Sequence, residues 1–167
     1  MGKHPSFLDM FDRIKANSGL MLVETFEETR MIRSICQEFS GVRTKIHFWT
    51  ATEGMHTIDT SDERLIEDLK LHDYKVENAR KTKSGAVTTG LPLNALDVIA
   101  EDCYKKEEEE DGDLVRDIYV LLDADKFFEN PMCLRRFRSL WSLASTATSN
   151  ILVSGPMVKV PSDLTKD

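Results

Sequence analysis

No G-x-x-x-x-G-K-S/T motif follows the first apolar strand pattern of this 167-residue chain. A phosphate loop needs glycines, so that backbone N–H groups can approach the anion, and a lysine to reach it. The turn after Leu20-Met21-Leu22-Val23-Glu24 has neither. Glu24, Glu27 and Glu28 stand there instead, so a phosphate would meet negative charge. No G-x-S-x-G, H-E-x-x-H or S-x-x-K occurs, which removes the common nucleophile and zinc-protease signatures. The three cysteines, Cys36, Cys103 and Cys133, are odd in number and widely spaced, with no C-x-x-C and no histidine at zinc spacing. They read as small buried or half-buried thiols of a reducing compartment. No run approaches the roughly 20 apolar residues of a membrane span. The start, Met1-Gly2-Lys3-His4-Pro5, has no secretory apolar region. Positive charge is short as well: 22 Lys+Arg stand against 29 Asp+Glu, for a net charge of −7. That balance argues against non-specific binding to nucleic acid or an anionic membrane. The expected location is the cytoplasm.

The chain has enough apolar content (41%) for a single domain spanning 1–167 with its own core. Phe7, Leu8, Phe11 and Ile14 recur at helical spacing, predicting a helix over 5–17 that stops at Asn17-Ser18-Gly19. Residues 20–24 form a buried-type strand. Thr25-x-x-Glu28 then has the form of a capping box, opening a helix over 26–39 with Phe26, Met31, Ile32, Ile35, Cys36 and Phe39 on one face. A second strand covers 45–50, and Thr52-Glu53-Gly54 turns the chain. Residues 61–73 suit a short helix, and 75–90 read as a mobile loop or insertion. Helical periodicity resumes over 93–104, followed by an acidic run over 107–113 of solvated-linker type, so 105–114 joins 61–90 as an expected insertion or loop. The third strand, 117–123, ends in Asp123. Asn130-Pro131 is a helix start, with a capping side chain followed by proline at the first helical position, and the helix runs over 131–144. The fourth strand covers 150–154. Apolar strands alternating with helices predict a mostly parallel sheet covered on both faces, a three-layer α/β/α sandwich.

The strand ending in Asp123 has the form of a Walker B strand, but Ala124 occupies the place of the water-polarising glutamate, with Asp125 one residue further on. A capping or loop-stabilising Asp123 is a simpler reading than a metal ligand. His47 alternates with Ile46 and Phe48 and reads as structural. Arg135, Arg136 and Arg138 are a local basic cluster in an acidic chain. They suit a solvated helix face or a docking surface for an acidic partner or neighbouring subunit. A nucleic-acid role for them lacks interleaved aromatics.

Together, Glu24-Thr25-Phe26-Glu27-Glu28-Thr29-Arg30, the Trp49-to-Gly54 segment, Tyr119-to-Asp123, and Leu152-Val153-Ser154 leading to Val160-Pro161 resemble one family. It is the N-terminal domain of the AAA+ ATPases typified by the conserved chloroplast and cyanobacterial reading frame, also found in bacteria and phages. The resemblance implies a degenerate P-loop NTPase-like fold and a regulatory, substrate-engaging or assembly role. It implies no catalytic, cofactor-binding or metal-ligating residue in this chain. ATP and Mg²⁺ are expected only in an associated AAA+ module, which is the expected partner in cis or in trans, with homo-oligomerisation through it and an unspecified protein client. The expected contact residues are Thr25, Glu27, Glu28, Glu53, Asp123, Asp125, Arg135 and Arg138, mostly at the C-terminal edge of the strands, where open α/β sheets place binding sites. The rival expectation is an enzyme. In it Glu24, Glu27, Asp123 and Asp125 converge at that edge around a divalent metal for phosphoryl or phosphodiester chemistry.

Overall fold

A computed structural model of the protein describes residues 5–39, 43–51, 54–58, 91–108 and 115–156. Five strands form one sheet: β1 (Leu20–Glu24), β2 (Thr44–Thr50), β3 (Gly54–Ile58), β4 (Arg116–Leu121) and β5 (Ser149–Gly155). Their order is β1-β5-β4-β2-β3. All pairings are parallel except β2 with β3, which is antiparallel. The central strands are apolar on both faces, the pattern of a sheet covered on both sides. Every residue of β5 is buried.

Among the described residues five helices supply the cover: α1 (Pro5–Lys15), α2 (Glu28–Phe39), α3 (Pro92–Glu108), α4 (Ala124–Phe128) and α5 (Pro131–Thr146). Alternation along the strands divides the core in two. Ile46, Phe48, Ile118, Val120 and Leu152 face α1 and α2. Trp49, Tyr119, Leu121, Ile151 and Val153 face α3, α4 and α5. This is the expected α/β/α sandwich with a mostly parallel sheet.

The α5 start is as its sequence predicts: Asn130 Oδ1 accepts from the Met132 N–H at 2.9 Å, and Pro131 follows the cap. The link from α1 to β1 is a tight one. Asn17 and Gly19 both have positive φ, 54° and 85°. A Cβ at Gly19 would lie 2.7 Å from the Trp141 carbonyl oxygen, so both the backbone conformation and the space demand glycine here. Trp141 Nε1 donates to the Ser18 carbonyl (3.2 Å) and Ser145 Oγ to that of Asn17 (2.8 Å), which fastens this link to α5.

The structure corrects several sequence expectations. Helix α2 begins at Glu28, leaving Phe26 outside it and 83% exposed rather than on the buried face. In α1 the buried face is Phe7, Met10, Phe11 and Ile14, and Leu8 is exposed. Strand β3 occupies residues expected to lie beyond a turn, and α4 was not foreseen. Strand β4 ends at Leu121, so Asp123 lies just past it in a loop. Helix α3 continues through Glu108, taking the first two residues of the acidic run with it; both are exposed. All three cysteines are free and buried, as expected. The helix expected over 61–73, the loop over 75–90, residues 109–113 and the Val160-Pro161 segment lie outside the described residues.

Candidate functional site

The C-terminal edge gathers the turns after β1, β2, β4 and β5. After β1, the Thr25 N–H donates to the Gly155 carbonyl at 2.9 Å, extending the β1–β5 pairing by one residue. Thr25 Oγ1 then accepts from the Glu27 N–H at 3.0 Å. The Met31 N–H donates to the Glu27 carbonyl at 2.9 Å and opens α2. The expected capping box is therefore replaced by a local threonine turn one residue too early to cap Glu28. That displacement turns Phe26 outward. Glu27 pairs with Arg30 at 3.2 Å, an exposed i,i+3 contact. Such pairs contribute little stability.

Asp123 adopts a left-handed backbone (φ 56°, ψ 54°), a conformation that aspartate tolerates better than most residues. Its Oδ2 accepts from the Ala51 N–H at 3.0 Å, and the Leu122 N–H donates to the Trp49 carbonyl at 2.9 Å. Asp123 thus ties the loop after β4 to the end of β2, the loop-stabilising role read from the sequence. Glu28 lies close enough to feel it. Partial burial, and then the Asp123 charge, push the Glu28 carboxyl above its usual range.

The edge therefore brings Glu28 and Asp123 together, with Thr25 and Glu27 beside them on the same turn. Glu24 ends β1 exposed. Asp125 is exposed and 3.9 Å from Lys126. Glu53 lies outside the described residues. Arg135 and Arg138 are exposed on α5, while Arg136 pairs with Asp97 of α3 at 3.1 Å. Among the described residues no group of three or more His, Cys, Asp or Glu side chains is placed to hold a metal ion.

A second polar constellation, not foreseen as a group, lies toward the opposite ends of β4 and β5. His47 Nε2 donates to Asp117 Oδ1 at 2.8 Å, and its Nδ1 lies 2.8 Å from Thr57 Oγ1. Lys106 Nζ lies 2.5 Å from Asp117 Oδ2 and also donates to Ser149 Oγ and the Ala147 carbonyl. The Tyr119 hydroxyl donates to Asp102 Oδ2 at 2.7 Å, and its ring stacks on His47 with centroids 4.5 Å apart. Burial alone would raise the Asp117 pKa; the His47 and Lys106 contacts outweigh it and bring it below the usual range. Burial and the nearby acids hold the Tyr119 hydroxyl well above its ordinary value. Thr57, His47 and Asp117 are in nucleophile–base–acid sequence, but His47 is 1% exposed and Tyr119 fully buried. Their ring stacking and tight bonding make an internal brace joining α3 to β2, β3, β4 and β5. Sequence gave one clue, a histidine in an alternating strand. Its partners lie ten to seventy positions away.

These features define the class: a three-layer α/β fold with a mostly parallel sheet, carboxylates in the turn after β1 and Asp123 engaged by a backbone N–H. The chain belongs to the SpoVK-like AAA ATPase N-terminal domain family, whose model matches residues 9–167. Comparison with curated proteins and with solved structures finds no match.

Proposed function

We propose that this chain is a non-catalytic adaptor or assembly domain of an AAA ATPase, working by protein–protein contact at the C-terminal edge of its sheet. The observation that carries the reading is the β1–α2 turn. It presents an 83% exposed phenylalanine between carboxylates, at the position where a nucleotide-binding relative needs glycine and lysine. An exposed aromatic on a structured turn suits an interface anchor, since aromatic side chains dominate binding energetics at protein contacts. The partner in this reading is the AAA module, in cis or in trans, where ATP and Mg²⁺ would act. A protein client is the further ligand.

Capture of a separately produced AAA module by the wild-type chain and by Phe26→Ser and Asp125→Lys variants tests the proposal. Binding lost in the variants, with circular dichroism unchanged, is the expected result. Binding unaffected by substitutions across Thr25–Glu28 and Asp123–Lys126 would remove the edge from consideration. The nearness of Glu28 to Asp123 favours one other reading, a divalent-metal site for phosphoryl chemistry. Mn²⁺ binding that disappears in Asp123→Asn would bring that reading forward.

A further inference from the structure

The two unlike surface features of this domain are complementary. One is the β1–α2 turn: Phe26 exposed, with Glu24 and Glu27 exposed on either side. The other is the outer face of α5. Met132, Arg135, Arg136 and Ser139 recur there at i, i+3, i+4 and i+7, and all four are exposed. Met132 is 62% exposed. A carboxylate turn centred on an aromatic faces solvent at one place, with Glu27 also pairing with Arg30 at 3.2 Å. A helix stripe with an exposed thioether and an exposed Arg135 does so at another, with Arg136 pairing with Asp97 at 3.1 Å.

We propose that these are the two halves of one interface, the Phe26 turn of one copy docking on the Met132–Arg135 face of α5 of a second copy. The inference rests on the reading of this domain as a binding module and names its occupant. Three physical arguments select a second copy. The chain is acidic overall, with a net charge of −7, so a partner for its carboxylate turn must present concentrated positive charge; α5 does so on this same chain. Methionine against an aromatic ring is a favourable, adaptable contact. Glutamate against arginine forms the stronger, charge-assisted type of hydrogen bond. Because the patches differ, each copy offers both, and assembly couples one copy's turn to another copy's helix. A single aromatic knob and one helix stripe make a small contact, so association of the isolated domain is weak and concentration-dependent. It becomes effective where copies are tethered close together.

Sedimentation velocity over a concentration series, with Glu27→Arg and Arg135→Glu variants, tests this. Wild type is expected to associate at low salt and less so at high salt. Each charge-reversed variant alone should remain monomeric. An equimolar mixture of the two should associate again, because each then supplies an intact or a reversed but complementary contact. Phe26→Ser should weaken association about tenfold or more. Circular dichroism and urea midpoints confirm that each variant folds. A wild type that stays monomeric throughout, association indifferent to the charge reversals, or a mixture that stays monomeric would each overturn the proposal. No AAA module is present in this experiment, so its failure leaves the capture result standing, and failure of capture leaves this one standing.

Discussion

Asp117→Ala removes the carboxylate that both His47 and Lys106 address. The consequence follows from their burial: the Lys106 side chain is 18% exposed and that of Asp117 8%. Removing one member of a buried ion pair leaves the other charge with little water and no counter-ion, which costs about 3–5 kcal/mol. For a domain of this size that is a fall in Tm of roughly 6–20 °C. The assay is urea and thermal unfolding followed by far-UV circular dichroism. A double variant, Asp117→Leu with Lys106→Met, should recover at least about 1 kcal/mol relative to Asp117→Ala, because no orphaned charge remains. The pH dependence carries a sign. Asp117 has a lower pKa folded than unfolded, so its stabilisation is fully present above about pH 4 and fades as the pH falls through the lower folded value. The gap between wild type and Asp117→Ala should therefore narrow in acid. A single variant within about 1 kcal/mol of wild type at neutral pH would refute the reasoning, as would a gap that widened on acidification.

Three further expectations follow from particular sites. Gly19→Ala must place a Cβ 2.7 Å from the Trp141 carbonyl at φ 85°, and should cost roughly 1–3 kcal/mol in urea unfolding. The Cys36 thiol, pushed up to about 12 by burial, should resist iodoacetamide in the folded protein at about pH 8 and react only on unfolding, as read by mass spectrometry. Glu28 has a raised folded pKa, so its contribution is favourable below its unfolded pKa and is lost as pH rises through the folded value; Glu28→Gln should raise the urea midpoint at neutral pH and leave it little changed in acid.

Much of the architecture was legible because its signals are local. The Asp117-to-Leu122 apolar run, the Asn130-Pro131 cap and the periodicity of α5 each lie within a few residues. What escaped reading depends on register or distance. Strand β3 is five residues long, pairs antiparallel beside β2, and contains a glycine and a histidine, so little in Gly54-Met55-His56-Thr57-Ile58 separates it from a loop. Phe26 looked like core because it precedes an apolar helical pattern; the Thr25–Glu27 bond starts that helix two residues later and leaves it outside. Leu8 lies about 100° around α1 from Phe7, and so falls off the stripe of Phe7, Met10, Phe11 and Ile14 that faces the core. The Asp123 role was readable, since a carboxylate past a buried strand often secures the following loop. The brace of His47, Asp117, Lys106, Tyr119 and Asp102 was not. Its members are polar residues scattered over two strands and a helix, and only the β2–β4 register brings His47 opposite Tyr119.

The central claim is that the turn after β1 belongs to a binding edge and not to a nucleotide site. Isothermal titration of the chain with ATP and Mg²⁺, separately and together, tests it most directly. The account predicts no heat beyond dilution in any of the three titrations, because Glu24, Glu27 and Glu28 repel the phosphates and no glycine-rich cradle follows β1. Saturable micromolar binding of MgATP would contradict it.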